Sequence, residues 1–149
     1  MPTLAENRKA LFDYEILEKY EAGVSLYGFE AKSVMRGSAQ LKGAFVLIRG
    51  SEAHLINAVI PPYQAKNTPA WYEPDRSRKL LLHKKEIAEL SGATSQKSLT
   101  LIPISLYTVN RKIKLGFALA RSRKKFEKRE LIKKRDFQRE KEKIMKQEK

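Results

Sequence analysis

The chain has 149 residues, 42% of them apolar, and carries 31 Lys or Arg against 17 Asp or Glu, a net charge of +14. That length supports one packed core plus an appendage, not two cores, and so positive a field draws polyanions such as nucleic acid. The sequence has no cysteine, which excludes disulfides and thiolate metal sites. No apolar run approaches a membrane span and the opening residues lack the apolar segment of a signal peptide, so a cytoplasmic protein with no membrane partner is expected.

In chain order, Phe12, Tyr14 and Ile16 alternate with Asp13 and Glu15, and Ala22, Val24 and Leu26 continue that period of two past a break at Ala22-Gly23. Phe29 to Arg36 predicts a short helix ended by Gly37. The apolar runs Phe45 to Ile48 and Leu55 to Ile60 flank Arg49-Gly50-Ser51-Glu52, a hairpin-turn signal. Pro61 to Arg78 reads as a long loop with Pro61, Pro62, Pro69 and Pro74, and loops of that length in small domains are functional or mobile. Its Tyr63, Trp71 and Tyr72 can stack on bases, but such rings more often pin a loop to the body, and that is the expectation here. Lys84 to Leu90 predicts a second helix, ended at Ser91-Gly92. Leu99 to Val109 is β-rich, with Pro103 marking an edge or a bulge. Asn110-Arg111 turns it into Ile113, Leu115, Phe117 and Leu119, which alternate with Lys112, Lys114, Gly116 and Ala118. About six short strands with turn signals predict a mainly β fold, a small closed antiparallel barrel with flanking short helices.

The charge divides the chain. Residues 121–149 hold 14 cationic and 6 acidic side chains, and residues 1–120 hold 17 and 11, which sets a boundary near Arg121. The expected units are a barrel over 1–120 and a basic tail over 121–149. The tail is rich in helix formers, but Phe126, Leu131, Ile132, Phe137, Ile144 and Met145 form no continuous apolar stripe. It is therefore expected to be poorly ordered alone and helical on a polyanionic surface. His54 and His83 stand isolated, and there is no phosphate-cradling glycine loop, no His-Glu-x-x-His and no Gly-x-Ser-x-Gly. A binding protein without cofactor or metal is expected, not an enzyme.

Six segments in order resemble the small protein B family. They are Asn7-Arg-Lys-Ala; Tyr20-Glu-Ala-Gly with Gly28-Phe-Glu-Ala-Lys-Ser; Arg78-Lys-Leu-Leu-Leu-His-Lys; Leu101-Ile-Pro-Ile-Ser-Leu-Tyr; the stretch Arg121 to Arg129; and Lys143-Ile-Met-Lys. The resemblance runs from about residue 5 to residue 146. It implies an oligonucleotide-binding-type barrel that grips the transfer-RNA-like domain of transfer-messenger RNA (tmRNA, SsrA RNA). It also implies entry into the A site of stalled ribosomes, with the tail in the decoding centre and the empty message channel, and tagging of the nascent chain. Small-subunit ribosomal RNA is then a second partner, elongation factor Tu is met indirectly through the aminoacylated RNA, and the protein acts as a monomer.

By the resemblance, Asn7, Glu21 and Leu81 fall on RNA-binding positions. Structured RNA is read by shape, looped-out bases and 2′-hydroxyls. Asn can bond a base edge or a sugar, Glu21 can accept from a base amino group or a 2′-hydroxyl, and Leu81 can pack on an exposed base. The plainer alternatives are Leu81 in the core and Asn7 as a turn or cap residue. Arg8, Lys9, Lys32, Arg36, Arg78, Lys79 and Lys84 are candidate phosphate contacts, each releasing counterions on binding. In the tail, Arg121, Arg123, Lys124, Lys125, Lys128 and Arg129 flank Phe126, which in the family stacks on a decoding-centre base, and the pair Ile144-Met145 matters after initial binding. Ser122 and Lys66 stand where the family usually has Gly, and Glu127 where it has Asp. Composition alone also fits a structural ribosomal protein. A basic membrane-surface helix over 126–145 is disfavoured by its interrupted apolar face.

Overall fold

The computed structural model describes residues 3–96, 98–123, 129 and 131–139. Strand β1 (Thr3–Glu6) leads into helix α1 (Arg8–Asp13). Asn7 caps that helix: its side-chain oxygen accepts from the Ala10 N–H at 3.4 Å, and its amide donates to the Pro103 carbonyl at 3.0 Å. Phe12 therefore lies in a helix, and the period-two pattern starts at β2 (Tyr14–Val24). The predicted break at Ala22-Gly23 is absent, because Gly23 pairs with Leu81 on one side and Lys114 on the other. The irregularity sits earlier, between Ile16 and Glu18, where Leu17 is the extra residue of a bulge.

Helix α2 (Gly28–Met35) ends at Arg36, and Gly37 follows at φ +80°, the left-handed conformation that glycine adopts without steric cost. Strands β3 (Phe45–Arg49) and β4 (Glu52–Ile56) form the expected hairpin around Gly50. The long loop ends earlier than the sequence indicates only by one residue, since β5 (Arg78–Leu81) begins at Arg78. Helix α3 (Lys84–Thr94) runs through Gly92 instead of stopping there. A mid-helix Gly costs about 1 kcal/mol relative to Ala, but Ile87 and Leu90 are buried and anchor the helix in the core. In β6 (Leu99–Val109) the register shifts between Pro103 and Ser105, so Pro103 marks a bulge. Asn110 and Arg111 both take positive φ, 49° and 67°, the two-residue turn whose twist suits a hairpin into β7 (Lys112–Ser122).

All pairings are antiparallel. The order β6-β3-β4-β5-β2-β7 closes on itself through β6–β7, and β1 adds along the other side of β6. A closed ring leaves few exposed edges. Inside it pack Ala22, Val46, Leu55, Leu80, Leu101, Leu106, Leu115 and Phe117, and full burial of one such large aliphatic side chain contributes about 1.5–3 kcal/mol. A second, small cluster of Ala10, Ile102 and Ala120, with Tyr14 and Ile16 packed against it, lies where α1 meets β2 and β6.

Strand β7 carries through Arg121 and Ser122, and the Arg123 N–H donates to the Asp13 carbonyl at 2.8 Å. The sheet thus extends past residue 120. Residues 131–139 form a helix, α4, mostly exposed. Lys124, Lys125, Phe126, Lys128, Ile144 and Met145 lie outside the described residues. Among the described residues no helix is long and apolar enough to cross a membrane.

Candidate nucleic-acid interface

The pleat puts alternate residues of β2, β5, β7 and β6 on one outer face of the barrel. Register aligns Glu21 with Gly116, Gly116 with Ser105, Gly23 with both Leu81 and Lys114, and Lys114 with Tyr107. Glu21 and Leu81, distant in sequence, therefore share a surface. Leu81 is 59% exposed while Leu80 beside it is 1% exposed, so Leu81 is not a core residue. Its side chain lies over Gly23, where an added Cβ would meet Leu81 Cδ1 at 3.3 Å. Leu81, Leu26, Ala31 and Ile113 line a recess of about 350 Å³ that Arg111, Lys112 and Lys114 rim with positive charge.

Glu21 is held in place. The Tyr107 hydroxyl donates to Glu21 Oε2, and burial together with that carboxylate pushes the Tyr107 hydroxyl up to about 12, so it stays a neutral donor at physiological pH. Gly116 makes room for the ring: a Cβ there would sit 3.0 Å from Tyr107 Cε1. The bond occupies one Glu21 oxygen and leaves the other for a donor from outside. A carboxylate so placed accepts from an amino group or hydroxyl and repels a phosphate.

A second constellation lies beneath α2 and the loop. Glu30 and Arg78 have no accessible side-chain surface and are paired at 2.7 Å. Arg78 also donates to the carbonyls of Ala58, Arg76 and Pro74 and to the Tyr72 hydroxyl. Tyr72 in turn lies 2.9 Å from Glu30 Oε2 and 2.8 Å from the Ile60 carbonyl, and Arg76 pairs with Glu30 Oε1. Burial pushes the Glu30 carboxyl up, but bonds from Arg76, the Tyr27 N–H and Arg78 outweigh it and hold the group below the usual carboxylate range. The network fastens the proline-rich loop to the barrel. Tyr72 does the pinning expected of the loop aromatics, whereas Trp71 is 63% exposed, with its ring edge-on to Tyr27 at 5.5 Å.

This arrangement corrects one expectation. Arg78 is not a phosphate contact, because it is fully buried and its guanidinium is bound to protein oxygens on every side. Asn7, at 5% exposure, is the helix cap of the plainer reading. Arg8, Lys9, Lys32, Arg36, Lys79 and Lys84 are all exposed. Lys79 pairs with Glu52 at 3.2 Å, and Arg8 with Glu6 at 3.3 Å. Arg121 belongs to β7 and pairs with Glu15 at 2.6 Å, a contact that lowers the Glu15 pKa through its hydrogen bond and its charge. Arg129 is exposed. Lys66 sits in a single 3-10 turn (Ala65–Asn67) and Ser122 in a strand, and neither takes a positive φ, so neither position demands glycine. The sequence reading missed Tyr107, Gly116, Glu30 and Arg76. Tyr107 ends the Leu101-Ile-Pro-Ile-Ser-Leu-Tyr segment, but only the folded sheet shows that its hydroxyl reaches Glu21.

No group of acidic or His side chains that could hold a metal occurs among the described residues. A ring of antiparallel strands with an open, partly cationic outer face defines a small barrel of the oligonucleotide-binding type. A family model described as SmpB protein matches residues 4–147. Among its relatives, the SsrA-binding protein of Ralstonia pickettii is 45% identical over 97% of this chain and 98% of the relative. That of Thermosynechococcus vestitus is 47% identical over 97% and 95%, and that of a Sulfurihydrogenibium species 48% over 96% and 93%. A chain in a solved structure described as "tmRNA-SmpB: a journey to the center of the bacterial ribosome" superposes with a TM-score of 0.67 at 45% identity, covering 80% of this chain and 84% of that one. The chain belongs to the SmpB protein family.

Proposed function

We propose that this protein is the RNA-binding adaptor of trans-translation. Its barrel binds the transfer-RNA-like domain of tmRNA and delivers it to the A site of stalled ribosomes, in the cytoplasm and as a monomer. The observation that carries the reading is the outer face on which a Tyr107-fixed Glu21 and an exposed Leu81 stand among Arg111, Lys112 and Lys114. Leu81 offers an apolar seat for an unstacked base, Glu21 accepts from a base amino group or 2′-hydroxyl, and the cations take the phosphates. Lys79 and Lys84, beside Leu81 in sequence, and Lys32 and Arg36 on α2 extend the positive surface, with Arg8 and Lys9 on α1; Asn7 positions α1 from below. Relatives named SsrA-binding protein and a tmRNA-SmpB structure support the partner.

The basic tail is assigned to the ribosome. Arg121, Arg123, Lys124, Lys125, Lys128 and Arg129 supply charge to small-subunit ribosomal RNA at the decoding centre, Phe126 stacks on a base there, and Ile144 and Met145 act in the empty message channel. Elongation factor Tu is reached through the aminoacylated RNA. The protein performs no catalytic step: it replaces message and anticodon by charge and shape. The test is a fluorescence anisotropy titration with tmRNA and with an ordinary elongator transfer RNA. Much tighter binding of tmRNA is expected, and equal affinities reject the assignment.

A further inference from the structure

The shoulder formed by α2 and the loop that follows β4 contains a groove of about 480 Å³, separate from the recess at Leu81. Phe29 and Tyr63 give it two aromatic walls, Lys32 stands on its α2 side, and Gln64 and Asn67 line its loop side. Lys32 and Arg36 both approach the Tyr63 ring, with the ammonium 5.7 Å and the guanidinium 4.5 Å from its centre, and Arg36 also donates to the Tyr63 hydroxyl at 3.2 Å. The loop side of the groove is fastened to the barrel. The Glu30–Arg78–Tyr72 network holds the loop, Phe29 packs edge-on against Tyr72 at 4.7 Å, and Asn67 donates to Gln64 at 2.6 Å. That last bond uses the Asn67 amide N–H and the Gln64 carbonyl, so the Gln64 amide N–H can still donate and the Asn67 carbonyl can still accept. A donor and an acceptor lining one groove suit the hydrogen-bonding edge of a nucleobase. Lys32 in the groove wall and Arg36 against the Tyr63 ring supply two cations that match its phosphate.

We infer that this groove is a second RNA-binding site, which takes one looped-out nucleotide of the same structured RNA: base against Phe29 and Tyr63, base edge on Gln64 and Asn67, phosphate on Lys32 and Arg36. The inference rests on the proposed tmRNA-binding role and adds a second point of grip to it. Two separate contacts on one protein, the recess at Leu81 and the groove beyond α2, fix the orientation of a rigid RNA, which one contact cannot do. RNA is favoured over an acidic peptide as occupant because aromatic walls and a paired donor and acceptor suit a planar base, while a peptide carboxylate needs only the cations.

The test uses the full chain and the transfer-RNA-like domain of tmRNA carrying 4-thiouridine. Ultraviolet cross-linking of the unaltered protein is expected to join RNA to the Tyr63–Asn67 segment, located by mass spectrometry. Asn67→Ala and Tyr63→Ala are each expected to weaken binding by about fivefold or more and to remove that cross-link, with melting curves unchanged for Asn67→Ala. Arg49→Gln, a charge loss elsewhere on the surface, is expected to keep it. Absence of the cross-link on the unaltered chain, or Asn67→Ala binding as tightly as the unaltered chain, overturns the groove. If tmRNA is still preferred over elongator transfer RNA and Leu81→Ala still weakens binding, the overturned groove leaves the main assignment standing. Loss of that preference in the unaltered chain removes both.

Discussion

Adjacent leucines in β5 point to opposite faces of the barrel, so stability and the proposed RNA contact are tested one residue apart. Leu80→Ala removes a side chain that is 1% exposed and is expected to cost about 2–5 kcal/mol of stability, read from a denaturant titration. Leu81→Ala removes one that is 59% exposed and is expected to change stability by about 0.5 kcal/mol or less while weakening tmRNA binding. The same separation applies to Glu21. Tyr107→Phe removes the donor that fixes its carboxylate, and a lost bond to a charged group is worth about 1.5–3 kcal/mol. Anisotropy with tmRNA is expected to show weaker binding for Tyr107→Phe and for Glu21→Ala, and no further loss when Tyr107→Phe is added to Glu21→Ala. Additive losses in that cycle would show that Tyr107 does not act through Glu21.

At the scale of elements, α2, the loop and β5 are joined by one buried carboxylate. Glu30→Gln leaves Arg78 without its counter-charge in a fully buried position, and breaking such a pair costs about 3–5 kcal/mol. Because the folded-state pKa of Glu30 lies below its ordinary value, its stabilising contribution is present above the unfolded-state pKa and is lost as pH falls through the folded-state value. Acid unfolding monitored by circular dichroism is expected to be shallower in Glu30→Gln over that range.

The same elements show what the sequence makes legible. The hairpins β3–β4 and β6–β7 and the Pro103 bulge follow from alternation and turn chemistry, which are local. Helix α1 escaped because its six residues are short and their apolar members also fit a strand pattern. The extent of α3 escaped because the burial of Leu90 overrides the helix-breaking signal of Gly92. Arg78 looked like a surface cation because its partner Glu30 is 48 residues away, and no local pattern foretells that pairing. Glu21 and Leu81 were singled out by motif, but their shared face, and the roles of Tyr107 and Gly116, come from register alone.

For the whole molecule, a net charge of +14 on 149 residues predicts a steep fall of RNA affinity with salt, since each neutralised phosphate releases counterions. The slope of log affinity against log salt is expected to shrink by about 0.7–0.9 for each of Lys32 and Lys84 changed to Gln. The proposed function gives the barrel and the tail different partners, and the sheet continues past the boundary expected near Arg121. Strand β7 runs to Ser122 and the Arg123 N–H is tied to Asp13, so a cut at residue 120 would unravel the end of a strand that pairs with both β2 and β6.

The most direct test of this division is to truncate the chain after Arg123 and measure two quantities on one preparation: affinity for tmRNA, and tagging of a nascent chain on ribosomes stalled in a purified translation system. The expected result is tmRNA affinity close to that of the full chain with tagging abolished. A truncated protein that still supports tagging, or one that folds but no longer binds tmRNA, would contradict it.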